Sequence, residues 1–267
     1  MTPIDSDAWS DADRADLRRA KALLEHPGLA VQLANFAGAP IEYLYAKQLP
    51  GKARKLVDKA THKAITAACR VALATIKHDA PMQAPHNTLH KLGVAATGAV
   101  GGFFGLASLP VELPVTTTVM LRSILDIARA EGASLDDPAT RIDCLQVLAL
   151  GGPRNDDDAA ETGYFAVRAA LAQQVSAAIS HVASHGAADR GAPVIVNLVG
   201  RIAAYFAIPV SEKALADALP VIGAATGSSL NVLFMHHFQH MAEGHFIVRR
   251  LEKSHGAEAV RKAYAII

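Results

Sequence analysis

The sequence predicts an all-α protein, a single multi-helix domain with Gly/Ala-rich, tightly packed apolar central helices. Three observations lead there. The hydrophobic fraction is 51% while aromatics supply only 5%, so the apolar content is mostly Ala, Val, Leu and Ile, and alanine has the highest helix propensity. Residues 92–111 form a run of twenty positions without one charge. Amphipathic stretches of helical period recur between Pro and Gly breaks. A chain of 267 residues suits one large domain, with N-terminal amphipathic helices over 1–80 and the main core over 85–265.

Ser10 followed by Asp13 reads as a helix start. Apolar positions follow at Leu17, Ala20 and Leu24, with a stop at His26-Pro27-Gly28, which gives about four turns. Residues 29–48 keep the helical period until Pro50-Gly51. Over 52–77, Lys52, Lys55, Lys59 and Lys63 share one helix face while Ala53, Leu56, Ala60, Ala64 and Ala67 share the other. The uncharged run comes after the Pro81 and Pro85 breaks. As a helix it would cover about 30 Å, the thickness of a bilayer's hydrocarbon core. Gly98 with Gly102, and Gly101 with Gly105, stand four apart, a glycine-zipper spacing that lets two backbones approach closely. The expected product is a tight helical hairpin, packed in a core or opened toward lipid.

Leu109-Pro110-Val111-Glu112-Leu113-Pro114 reads as a corner, followed by a helix through Ala130 that closes at Gly132. Asp137-Pro138, a cap and a first-turn proline, opens a helix that ends at Gly151-Gly152-Pro153. Asp156, Asp157 and Asp158 favour the positive end of the next helix dipole, and that helix runs to about His185. Residues 193–211 carry Arg201 as their single charge, and Gly200, Ala203 and Ala204 favour a packed helix over a strand through Val194-Ile195-Val196. Residues 218–235 carry no charge, and Gly223 and Gly227 repeat the small-residue spacing.

A formal net charge of +1 argues against a general nucleic-acid binder, whose footprint is strongly basic. Charge is unevenly spread, however. Residues 47–77 hold eight basic residues against one acidic residue, Asp58, and each Lys near an anionic leaflet is worth roughly 1 kcal/mol. Arg249, Arg250 and Lys253 form a second small cluster. Only Cys69 and Cys144 are present, far apart, which gives no disulfide framework and points to a reducing compartment. The acidic start, Asp5-Ser6-Asp7, lacks the basic then apolar pattern of a secretory signal. The expected location is the cytoplasm, peripheral at the inner membrane.

Glu112 is the sharpest single residue, because an ionisable side chain inside an apolar segment is expensive and has a partner or a role. It reads as a helix-terminal charge, as an ion pair with Arg122 or Arg249, or as a functional carboxylate. His236, His240 and Glu243 share one helix face, a set that suits zinc or iron. With Glu112 as general base they define an alternative reading, a metal-dependent hydrolase. His86 with His90 and His181 with His185 repeat the four-residue spacing, and no His-Glu-x-x-His occurs. There is no Gly-x-Ser-x-Gly elbow, no phosphate loop and no Gly-x-Gly-x-x-Gly.

These residues together resemble the EcsC family of bacterial proteins. The resemblance rests on Gly101-Gly102, residues 109–114, Arg122, Ile127-Ala128, Glu131-Gly132 and the stretch from Arg141 to Gly152. It continues through Pro220, Gly223-Ala224, Asn231, His245-Phe246 and Arg249-Arg250-Leu251-Glu252. The resemblance implies a helical fold, offers no catalytic set, and marks Glu112, Arg122, His245, Arg249 and Arg250 as a polar core. Its type member is encoded beside subunits of an ABC exporter, so an ABC transporter complex is an implied partner. The leading expectation is a membrane-associated or lipid-binding, non-enzymatic protein whose partners are membrane lipids or an apolar ligand. In it Lys52, Lys55, Lys59 and Lys63 face headgroups, the glycines at 98, 101, 102, 105, 223 and 227 line the lipid-contacting helices, and no cofactor is needed.

Overall fold

A computed structural model describes residues 9–25, 28–37, 49–74, 108–151, 161–186, 189, 191–217 and 227–267. Among these residues there are nine α-helices and no strand. Gly98, Gly101, Gly102, Gly105 and Gly223, the histidines at 86 and 90, and the triplet Asp156, Asp157 and Asp158 lie outside the described residues.

Helix α1 (Asp11–Leu24) starts as the sequence predicts. The Ser10 hydroxyl accepts the Asp13 N–H at 3.0 Å, and Leu17, Ala20 and Leu24 are buried. Helix α2 spans Leu29–Ala37 and α3 spans Gly51–Leu73. The buried face of α3 is turned by about one position from the expected stripe. Val57, Ala60, Thr61, Ala64, Ile65 and Ala68 are buried, while Ala53, Leu56 and Ala67 are half-buried. Val57 and Ile65 remove more apolar area from water than the alanines they displace, so they set the facing.

Helix α4 (Leu109–Ala130) absorbs the expected corner at Pro110 to Pro114. Pro110 sits in the first turn, where its missing N–H would have had no intrahelical partner, and Pro114 lies inside the helix. The end matches expectation. Gly132 adopts φ 82°, its N–H reaches the Arg129 carbonyl at 3.0 Å, and the Ala133 N–H reaches that of Ala128 at 3.0 Å. This six-to-one plus five-to-two pairing needs a left-handed residue between, which glycine supplies without strain.

Helix α5 (Pro138–Val147) is capped by Asp137, whose Oδ1 accepts the Ala139 N–H at 2.9 Å. It stops before Gly151. The N–H groups of Leu148, Ala149 and Leu150 bond carbonyls three residues back, at 3.1, 2.8 and 3.0 Å, a tightened final turn. Helix α6 spans Glu161–His185, and α7 spans Pro193–Asp217, so the Val-Ile-Val run is helical and the helix runs past Ser211. Helix α8 (Gly227–His255) is the longest at 29 residues. A short α9 (Ala257–Ile266) follows the turn at Gly256 and was not expected from the sequence.

Helix α8 is the spine, packed by α1, α4 and α9, while α3 packs on α4 and α7. Helix α6 lies on α5 and α7, and α2 lies on α7. Alpha-1 meets α8 closely at Gly244, where an added Cβ would stand 2.6 Å from Leu24 Cγ and 3.0 Å from the Ala20 carbonyl oxygen. Lys21 of α1 donates to the Tyr264 carbonyl at 3.0 Å and to the Ile267 oxygen at 2.7 Å, satisfying acceptors at the end of α9. Among the described residues one helix, Pro193–Ala216, is long and apolar enough to cross a membrane, and 44% of its most apolar window is buried in this bundle.

Candidate functional site

Glu112 stands in the first turn of α4, close to the α7 and α8 backbones. Its Oε1 accepts from Asn231 Nδ2 at 2.9 Å and lies 3.7 Å from Lys213 Nζ, and its Oε2 accepts from the Ser108 hydroxyl at 3.2 Å. The side chains of Glu112 and Lys213 are 11% and 7% exposed. The expected partner is thereby corrected from Arg122 or Arg249 to Lys213. Arg122 points to solvent, and Arg249 lies some eighteen residues of α8 beyond Asn231, about 27 Å at 1.5 Å per residue. The buried pair and Asn231 join three helices, and removing one partner of the pair strands the other charge.

The remaining expected polar-core residues gather at the other end of α8. Arg168 of α6 donates from both terminal nitrogens to the two Glu252 oxygens at 2.7 and 2.9 Å, a two-pronged fit that carboxylate and guanidinium geometry favour. Arg249 donates to Asp143 at 2.8 Å and to Glu252 at 3.1 Å. Arg168 also donates to the Tyr164 oxygen at 3.2 Å, and that oxygen lies 2.9 Å from His245 Nδ1. A phenol can accept and donate at once, so Tyr164 bridges the Arg168 guanidinium to the His245 ring. Burial, then the charges of Arg168 and Arg249, push the His245 pKa well down and keep the ring neutral. Burial raises the Asp143 carboxyl against the pull of Arg249, and it raises the Tyr164 phenol. Arg250 turns the other way, to Asp16 at 2.8 Å and Glu131 at 3.2 Å, tying α8 to α1 and to the end of α4. The expected polar core is thus three separate clusters.

Two clefts flank this network, of about 460 and 480 Å³, sharing Asp143, Arg249, Glu252 and Ala257 as their dividing wall. Both volumes fall within the range of small-molecule sites.

The histidine set does not assemble. The His236 and His240 rings lie 3.9 Å apart, but the Glu243 carboxylate is engaged by Arg19 of α1. Among the described residues no group of three or more His, Cys, Asp or Glu is placed to hold a metal ion. His237, next to them, is buried as a structural bridge. Its Nδ1 lies 3.3 Å from Gln32 Nε2 and its Nε2 lies 3.2 Å from the Gly151 carbonyl, which fits the Nε2–H tautomer.

Lys52, Lys55, Lys59 and Lys63 are all exposed on α3, as the sequence predicts. Lys63 is not wholly given to solvent, since its ammonium donates to the Pro110 carbonyl at 3.1 Å. Beside that contact, on α4, Val111 is 72% exposed and Val115 is 47% exposed. Gly227 is the first residue of α8.

Sequence reasoning missed Lys213, Asp143, Tyr164 and Arg168. One signal was present, because Arg168 is the single Lys or Arg between 161 and 185, the same mark that singled out Glu112. Glu212, beside Lys213, was also missed. Its carboxylate takes the Ala30 N–H at the start of α2, and burial raises its pKa to about 7.

Fold and site together define a helical bundle laced by buried ion pairs at both ends of one long spine. The chain belongs to the EcsC protein family, whose model matches residues 32–251. Neither a curated protein nor a solved structure matches it.

Proposed function

We propose that the protein acts at the cytoplasmic surface of the inner membrane as a peripheral, lipid-contacting member of its family, without a catalytic role. The observation that carries this reading is the adjacency of two unlike surfaces. The exposed Val111 and Val115 of α4 lie beside Lys63, one end of the exposed row Lys52, Lys55, Lys59 and Lys63 on α3. Exposed apolar side chains bordered by lysines suit an interface of acyl chains and anionic headgroups.

Flotation with vesicles tests it. The full chain is expected to float with vesicles rich in phosphatidylglycerol at low salt and to release at high salt. It should ignore pure phosphatidylcholine. Reversing Lys52, Lys55 and Lys59 together to Glu removes roughly 3 kcal/mol of attraction, a loss of over a hundredfold. Val111→Asp with Val115→Asp should weaken binding even at low salt. Equal binding by all variants, or none to anionic vesicles, overturns the reading. Recruitment that needs the subunits of an exporter in place of bare lipid would move the assignment to an adaptor of that complex.

A further inference from the structure

We infer that the cleft between α6 and the α8–α9 end of the bundle is a binding site for a single-chain amphiphile with a carboxylate head, a long-chain fatty acid. This goes beyond membrane contact and is independent of it, because none of the residues involved lies on α3 or on the first turn of α4.

The cleft exists because of side-chain size. Helix α6 packs on α5 and α7, and it faces α8 and α9 across a gap spanned by long side chains. Arg168 reaches Glu252, Tyr164 reaches His245, and Phe165 meets Tyr264 edge-on at 5.2 Å. Beyond Arg168 the same face of α6 continues with Ala169, Ala172 and Ser176, too short to cross, and all three are exposed. Val175 and Ile179 extend the apolar wall. The result is a trough of about 460 Å³, within the range of ligand sites and with the apolar lining that an alkyl chain requires.

Three basic side chains (Arg168, Arg249, Arg261) and three acidic ones (Asp143, Glu252, Glu258) line it, and Lys262 beside Glu258 leaves its polar end one positive charge in excess. Asp143 and Glu252 are matched within the cleft by Arg249 and Arg168. Glu258 at the mouth pairs instead with Lys262 at 3.7 Å. Arg261 lines the cleft with its guanidinium carbon 5.9 Å from the centre of the Phe165 ring, and among the described residues it forms no ion pair. Arg249, 38% exposed, spends Nε and Nη1 on Asp143 and Glu252. A guanidinium has five N–H donors, so Arg249 keeps donors for a further acceptor. One surplus charge matches a monoanion, and the planar donors of a guanidinium fit a carboxylate. The carboxylate would meet Arg261 and Arg249, with its chain along Ala169, Ala172 and Val175.

Calorimetric titration of the lipid-stripped full chain with monomeric oleate, in the absence of vesicles, tests the site. One oleate per chain is expected. Arg261 is exposed and, among the described residues, forms no ion pair, so Arg261→Ala should leave the circular dichroism spectrum unchanged and weaken oleate about tenfold. Ala172→Trp should block binding by filling the trough, and oleyl alcohol should bind at least tenfold more weakly than oleate. The inference is overturned if oleate does not bind, if both variants bind as the parent does, or if oleyl alcohol matches oleate. Tighter binding of lysophosphatidate than of oleate overturns the carboxylate assignment. Vesicle flotation by Arg261→Ala should match the parent, so failure of this site and failure of membrane docking are read separately.

Discussion

The Lys63 ammonium donates to the carbonyl oxygen of Pro110 at 3.1 Å, the acceptor that residue 114 would use if it were not proline. In an α-helix the N–H of residue 114 bonds the carbonyl of residue 110. Pro114 has none, and its ring leaves that carbonyl open. A lysine on α3 therefore completes the first turn of α4, the turn that presents Glu112 and Val111. Lys63 belongs both to the exposed basic face and to the frame of the buried carboxylate.

A double-mutant cycle reads this relationship directly. Lys63→Ala is expected to cost about 1 kcal/mol in urea denaturation, the usual net worth of a hydrogen bond. In a Pro114→Ala background the restored N–H supplies the missing donor, so the same Lys63 change should cost close to nothing. Additive effects would show that the lysine does not serve this carbonyl.

Lys213→Met leaves Glu112 charged and buried beside Asn231, so a loss of about 3–5 kcal/mol is expected. Adding Glu112→Leu should return most of it, since two apolar groups of similar volume replace the pair. Chemical denaturation of the single and double variants checks this. A double variant as unstable as Lys213→Met alone would mean the pair is not the source of the loss.

Glu212 makes stability depend on pH. Its folded pKa of about 7 is raised above the ordinary 4.5, so its contribution is fully present below pH 4.5 and is lost as pH rises through about 7. Discounting for partial solvent contact, the loss should amount to about 1–3 kcal/mol. Glu212→Gln keeps an oxygen for the Ala30 N–H and should flatten the decline between pH 5 and about 8. Thermal melts across that window compare the two proteins. An identical decline in both would place the titrating group elsewhere.

Gly244→Ala forces a methyl group against Leu24 Cγ and the Ala20 carbonyl, at 2.6 and 3.0 Å before any adjustment. Leucine can turn aside, but the backbone oxygen cannot, so about 1–3 kcal/mol is expected. Leu24→Ala in the same chain relieves only the first of these contacts. Differential scanning calorimetry should therefore show the double variant no more stable than Gly244→Ala.

Helix ends were legible in the sequence because each end is set by a few adjacent residues. Ser10 with Asp13, Asp137 with Pro138, and Gly132 each fix backbone dihedrals locally. Glu112 was legible for a different reason, as a charge in an apolar stretch, and the exposed lysine row followed from its helical spacing. Its partner was not legible, because Lys213 is brought to it by the packing of α7 on the bundle and no local spacing encodes that. The carboxylate that Arg249 takes is hidden from local spacing for the same reason, since Asp143 lies 106 residues away in sequence. Helical spacing puts His236, His240 and Glu243 on one face, but it does not encode Arg19 of α1, which engages Glu243.

Lys21 holds the last turn of α9 through bonds to acceptors 243 and 246 positions further along the sequence. Helix α1 packs on α8 and α9, so its main partners are synthesised some two hundred residues after it. At roughly 5–20 residues per second of synthesis, Leu17, Ala20 and Leu24 wait about ten to fifty seconds with their apolar stripe uncovered. The apolar stripe of α1 is thus open to chaperones and proteases during that interval, and α1 docks only once α8 has been made.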